Sequence, residues 1–286
     1  MNGRNLSKEF LFQALALIIS IILVHATYVS LIRPEAKAII AEQQMMIEQD
    51  INYVPDRSFY VIVRDFEQEA CFILMLWAFA IMAIKANASI NERRLLREDL
   101  IPIRVGESIN PTSANDYLRQ LEGLDDAKQD LFLTRTLING LKRFTTTKNV
   151  QDVSTTTHTM VESEAERLES ELSMIRYIAW AIPSIGFIGT VRGIGAALSL
   201  AHRAVDGDIS GVTQNLGVAF NSTFIALLIS IVIMFMVHQL QLLQERQIFE
   251  TETYCDENLI THLKGECFPD LWLDDSSTYS ISRFWM

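Results

Sequence analysis

The sequence predicts an all-α polytopic membrane protein with four transmembrane helices, the last two extended into the cytoplasm. Three observations carry this. The apolar residues, 49% of a 286-residue chain, are gathered into four blocks separated by charged stretches. A soluble core does not produce that segregation. Lysine and arginine crowd the blocks mainly on one side. The last two blocks run on at helical spacing into polar sequence.

Residues 1–9 form a short N-terminus that carries Arg4 and Lys8. The first block, residues 10–32, is too long for the apolar region of a signal peptide and is expected to stay as an uncleaved first span. At ~1.5 Å per residue it reaches roughly 33 Å, enough to cross a bilayer. Residues 33–69 follow as a loop, and residues 70–90 form the second span, with Lys85 able to snorkel near its end. Residues 91–176 form a large helical loop. Residues 177–201 and 217–238 are the third and fourth spans, joined by a turn at 202–216, and residues 239–286 form a tail.

Arg4, Lys8, Lys85, Arg93, Arg94, Arg97 and Arg176 all fall on one side if both termini are inside. The 33–69 loop holds Arg33, Lys37, Arg57 and Arg64, and the 202–216 turn holds only Arg203. The positive-inside bias therefore predicts a cytoplasmic N-terminus, loop and tail, with 33–69 and 202–216 periplasmic.

Within the large loop, Pro111-Thr112-Ser113 reads as a helix start before Tyr117 and Leu121, and Leu131, Ile138 and Leu141 suit one face of a second helix. Val150, Val153, Thr157, Val161, Ala165, Leu168, Leu172, Ile175 and Ala179 recur at three- and four-residue steps with no Gly or Pro between them. They predict one long helix running into the third span. Glu162, Glu164, Glu166, Glu169 and Glu171 fall mostly off that line, as a solvated acidic face or a docking surface for a cytoplasmic partner. Leu240, Leu243 and Ile248 extend the fourth span in the same way. The final stretch, Phe268 to Met286, places Trp272, Tyr279, Phe284 and Trp285 among acids, either folded back or serving as a docking peptide.

The net charge of −11 argues against nucleic-acid binding. Cys71, Cys255 and Cys267 are scattered, with no Cys/His cluster, so neither a metal site nor a disulfide framework is expected. No phosphate loop or nucleophile constellation is present, so neither an enzyme nor a cofactor is expected.

The chemistry lies in the third span, Pro183-Ser-Ile-Gly186-Phe-Ile-Gly189-Thr190-Val-Arg192-Gly193. Gly186, Gly189 and Gly193 form a small-residue surface for close helix approach, and Pro183 removes a helical hydrogen bond. Arg192 is a costly charge at membrane depth. Two readings fit it: snorkelling toward an interface, or pairing inward with a partner. The four spans contain no Asp or Glu, and His25 and His238 lie near span ends. They do contain hydroxyls and amides: Ser184, Thr190 and Ser199, then Asn221, Ser222, Thr223 and Ser230. These could solvate an ion or bond a partner's carboxylate; ordinary interhelical bonding explains them equally well. An ion-carrying acid, if one is used, must come from elsewhere.

The Pro183–Gly193 segment and the later stretch Leu216-Gly-Val-Ala-Phe-Asn-Ser-Thr223-Phe-Ile-Ala-Leu resemble the last two spans of the MotA/TolQ/ExbB proton-channel family, over roughly residues 175–240. Four spans with a large loop after the second are similar to MotA. The resemblance implies a stator-type subunit of a motor driven by the proton-motive force in a bacterial inner membrane. It implies a homopentamer around a dimer of MotB/TolR/ExbD-like single-span partners, each supplying an aspartate and passing force to the periplasm. It places Thr190 and Thr223, with Ser222 and Asn221 beside them, on the ion path. Two departures stand out: Arg192 replaces a usually apolar or aromatic residue, and Val218 stands where ExbB-like proteins can carry glutamate. Other readings are a non-conducting scaffold or sensor that recruits cytoplasmic partners, and a self-contained transporter, which the missing acids disfavour.

Overall fold

The computed structural model describes residues 3–49, 53, 58–98, 100–102, 108–205, 207 and 209–264. Cys267 and the aromatic stretch Phe268 to Met286 lie outside the described residues. In chain order the helices are α1 (Gly3–Thr27), a π-helical turn (Tyr28–Ile32), α2 (Arg33–Gln49), α3 (Phe59–Ile62), α4 (Phe66–Leu95), α5 (Pro111–Glu122), α6 (Asp126–Gln129), α7 (Phe132–Thr147), α8 (Val150–Ser199), α9 (Ala201–Val205) and α10 (Ser210–Asn258). Among the described residues the only β-type pairing is a parallel bridge between Ile109 and Leu263. Four stretches, Phe10–Ile47, Phe66–Leu95, Val150–Ser199 and Ser210–His262, are long and apolar enough to cross a membrane. Over the described residues the fold is all-helical, with four long apolar helices that could cross a membrane.

The chain divides into two compact units. One comprises Met1–Asn91 with Ala165–Arg246, the other Glu92–Glu164 with Gln247–Met286.

The first unit holds the apolar spans. Its interior is built from Cys71, Ala78 and Ile81 on α4, Leu172, Ile175, Ile178 and Ile182 on α8, and Ile225, Ile229 and Ile233 on α10. Trp180, Phe187, Phe224 and Phe235 remain exposed, as lipid-facing or neighbour-facing surface permits because hydrocarbon does not drive apolar side chains inward. The helical rod of the first apolar block does not stop at residue 32. A π-helical turn carries it into α2, and Pro34, which has no N–H to give to Ser30, follows that wide turn. The Trp77 indole donates to the Gln13 carbonyl at 2.9 Å, joining α4 to α1.

Several sequence expectations change here. Helix α4 begins at Phe66 rather than near residue 70, so its first turn takes in Glu67, Gln68 and Glu69. Lys85, near the end of the second span, has a partner on α8: its Nζ meets Glu171 at 2.7 Å, and Arg167 holds the other oxygen of that carboxylate at 3.0 Å. On α8, Glu164 occupies the buried row and Ala165 is exposed. The buried steps from Val161 to Glu164, Leu168, Leu172 and Ile175 average about 3.5 residues, close to the helical period. The long helix read from the sequence is present as 50 unbroken residues. Helix α10 is likewise 49 residues long, but past Leu240 its buried positions are Gln244, Gln247, Thr251 and Cys255, not Leu243 and Ile248.

The second unit is a small helical domain. Its core joins Leu121 of α5, Leu133, Leu137, Leu141 and Phe144 of α7, Val153 of α8, and Cys255 and Leu259. Helix α5 starts at Pro111 as the sequence suggested, and the Asn110 amide donates to Ser113 Oγ at 2.9 Å. Leu131 lies just before α7, and Ile138 is only half-buried. Lys148, with φ of 54°, makes the left-handed turn between α7 and α8, its N–H bonded to the Phe144 carbonyl at 2.8 Å. Burial pushes the Cys255 thiol up to about 12, which keeps it protonated and chemically quiet.

Candidate functional site

The site forms where α8 and α10 come closest. Gly186, Gly189 and Gly193 supply one side of that contact. A Cβ at Gly186 would fall 2.4 Å from the Ala226 Cβ, and one at Gly189 would fall 2.5 Å from the Ser222 Cβ. One at Gly193 would fall 2.8 Å from the Ala219 Cβ and from the Asn215 carbonyl oxygen. These three positions therefore face a small-residue row on α10. Gly195 and Gly217 meet nothing within 4 Å and take no part.

The close approach lets polar groups cross between the helices. Thr190 and Thr223 hydroxyls bond to each other. The Thr190 hydroxyl also lies 3.1 Å from the Ala219 carbonyl oxygen, and the Thr223 hydroxyl 3.1 Å from that of Gly186. Two hydroxyl hydrogens thus serve an arrangement of two carbonyls and two hydroxyl oxygens, leaving oxygen lone pairs to accept from a further donor. Ser222 is buried, and its hydroxyl donates to its own helix at the Val218 carbonyl, 2.9 Å away. Asn221, about 200° around α10 from Thr223, is not bonded to the pair. Ser184 and Ser199 bond to carbonyls of α8 itself.

Pro183 has a specific counterpart. Lacking an N–H, it leaves the Ala179 carbonyl without its usual helical donor. The Ser230 hydroxyl of α10 fills that place at 2.9 Å. Ser230→Ala is expected to lower the unfolding free energy by about 1 kcal/mol, measured by reversible denaturation in detergent. Unchanged stability would show that the carbonyl finds another donor.

Arg192 has a partner that the sequence reading did not find. Its Nε and Nη2 donate to the two oxygens of Glu67 at 2.6 and 2.8 Å, a two-pronged pair. Glu67 is nearly buried, whereas the Arg192 side chain is half exposed. Arg192 is therefore neutralised within its own chain. Next to it, the Gln68 amide nitrogen lies 3.4 Å from Ser222 Oγ and 3.1 Å from the Ile62 carbonyl. Glu69 meets Arg33 at 2.5 Å and His25 at 2.6 Å. His238 is exposed on α10. Burial raises the Asp65 carboxyl, just ahead of α4, with Arg64 and Arg192 opposing the shift. No local signal marks these pairs, because the partners are separated by 125, 36 and 44 residues. The one available clue was acids immediately before an apolar block and an arginine inside another.

The described residues hold no group of three or more His, Cys, Asp or Glu side chains arranged for a metal ion. The arrangement offers hydroxyl and carbonyl oxygens within an apolar bundle, with its nearby carboxylates already engaged by cations.

No match to the chain was found among curated proteins or among solved structures. Residues 128–253 match the model of the MotA/TolQ/ExbB proton channel family, a stretch that contains α7, α8, α9 and most of α10. With the paired threonines, the glycine contact and Pro183 all inside that stretch, the chain carries a MotA/TolQ/ExbB proton channel family domain over residues 128–253.

Proposed function

We propose that this protein is the channel-forming, stator-type subunit of a motor driven by the proton-motive force. In this reading it sits in a bacterial inner membrane with both termini in the cytoplasm. Five copies surround a dimer of MotB/TolR/ExbD-like single-span helices, and each partner helix brings the aspartate that carries the ion. Thr190 and Thr223 line the path, Ser222 and Asn221 flank them, and force passes to the periplasm through the partner.

One observation carries the reading. The Thr190–Thr223 pair offers oxygen ligands inside an apolar bundle, while Glu67 and Glu69, at the head of α4, are each held by an arginine. The expected spans themselves contain no acid. An ion path whose expected spans hold no acid, and whose neighbouring Glu67 and Glu69 are paired to arginines, is complete when another chain supplies the acid. The orientation rests on the basic residues flanking the spans.

The test is co-expression of the full chain with a single-span protein encoded beside it, one whose apolar segment carries an aspartate. The expected result is a pentamer with two partner chains that conducts protons into reconstituted vesicles, and does not when that aspartate is replaced by asparagine. A stable complex that conducts nothing under a pH gradient would instead favour a non-conducting scaffold or sensor that recruits cytoplasmic partners.

A further inference from the structure

The Thr190–Thr223 pair is flanked on both helices by groups held from a third helix. Arg192 stands two residues after Thr190 on α8, and Ser222 stands one residue before Thr223 on α10. Arg192 is gripped by Glu67, and Ser222 is contacted by Gln68. Glu67 and Gln68 are consecutive residues in the first turn of α4, outside the stretch 128–253 that matches the family. The Glu67 Cγ lies 3.1 Å from where a Gly189 Cβ would stand, so the carboxylate stem runs beside the turn that carries Thr190.

We propose that Glu67 and Gln68 are positioning residues that fix the geometry of the Thr190–Thr223 pair from outside the two helices that carry it. The glycine contact sets how close α8 and α10 approach. It does not set how far one slides or turns against the other, because small residues offer few interlocking side chains. A two-point clamp from α4 restrains both motions. Glu67 anchors α8 through a bidentate pair, whose two parallel bonds fix orientation as well as distance. Gln68 anchors α10 one residue from the threonine. Glu67 also neutralises Arg192, so the charge next to the pair comes with its counter-charge. A role in ion passage rests on the function proposed above; the clamp itself does not.

The test uses the full chain in lipid nanodiscs, with Cys71, Cys255 and Cys267 replaced by alanine and cysteines placed at Thr190→Cys and Thr223→Cys. The Thr190 and Thr223 hydroxyls bond directly, which brings the two side chains near the Cβ separation of a disulfide, so mild oxidation is expected to cross-link the parent. Adding Glu67→Gln or Gln68→Leu is expected to slow cross-linking by about tenfold, within the coupling range for residues that share one network. The exchanged pair Glu67→Arg with Arg192→Glu is expected to recover much of the rate. Gln68→Leu is the more telling variant. The Gln68 Oε1 is buried without a partner, so leucine removes an unsatisfied acceptor along with the bonds to Ile62 and Ser222, which offsets part of the cost to the fold.

Parent-like rates in both Glu67→Gln and Gln68→Leu, at unchanged helicity and particle size, would overturn the proposal. So would failure of the parent to cross-link. If Glu67→Gln fails to fold, the rate in Gln68→Leu decides. Slowed cross-linking in a complex that conducts no protons supports the clamp and removes only the channel reading.

Discussion

Replacing Thr190 and Thr223 together by valine is expected to abolish ion-coupled work while leaving the assembled complex intact. Valine keeps the shape of threonine and removes the hydroxyl. The carbonyls of Gly186 and Ala219 lie inside helices and keep their backbone donors, so the structural loss is on the order of 1 kcal/mol per hydroxyl. Under the proposed function, the loss is larger for a passing proton or a partner carboxylate. A hydrogen bond to a charged group contributes about 1.5–3 kcal/mol, which corresponds to roughly ten- to a hundredfold in rate for each threonine. Proton entry into vesicles containing the full complex measures the effect, and size-exclusion chromatography checks assembly. Serine at both positions is expected to retain substantial flux, because it keeps both hydroxyls. Wild-type flux in the double valine variant would remove the threonines from the ion path.

The second large effect concerns the helix contact. Gly186→Ala and Gly189→Ala are each expected to destabilise the protein, and the pair together to prevent assembly. The new Cβ atoms would sit 2.4 Å from the Ala226 Cβ and 2.5 Å from the Ser222 Cβ. Neither clash can be relieved by a rotamer change, since a Cβ is fixed by its backbone, so α8 and α10 must part. Overpacking of this kind typically costs about 1–3 kcal/mol per site, and the separation also breaks the Thr190–Thr223 contact. Gly195→Ala is the matched control on the same helix. It meets open space and is expected to be neutral, or to stabilise by up to about 1 kcal/mol through helix propensity. Thermal unfolding of the purified protein distinguishes the sites. Equal stability of Gly186→Ala and Gly195→Ala would show that the contact is not close in the assembled protein.

Much of this arrangement was legible in the chain. A span that only anchors a protein has no use for a proline, several glycines and a threonine, and the glycines marked one face of α8 for close approach by another helix. The continuous pattern from Val150 to Ala179 foretold a helix that does not stop where the apolar span begins. Both signals are local, since they depend on backbone propensity and on the 3.6-residue period. Boundaries were less legible. An apolar block fixes where a span must be greasy, but a helix continues until something breaks it. This is why α4 reaches back to Phe66 and α1 passes through its π-helical turn into α2.

Arg192 shows where local reading ends. Its sequence neighbours gave it no partner, so it read as either snorkelling or reaching toward another chain. The structure gives Glu67, a residue assigned from sequence to a loop. Similarly, nothing near Ala179 or Pro183 in sequence indicates that Ser230 donates to the Ala179 carbonyl. The sequence by itself determined the four apolar helices, the two long extensions, the small-residue face of α8 and the absence of acids from the expected spans. Only the tertiary structure decided which charges neutralise each other and which hydroxyls meet. The physical reason is range. Hydropathy and helical period act over a few residues, whereas an ion pair or a shared hydroxyl bond depends on how distant helices register side by side, and that register is set by packing.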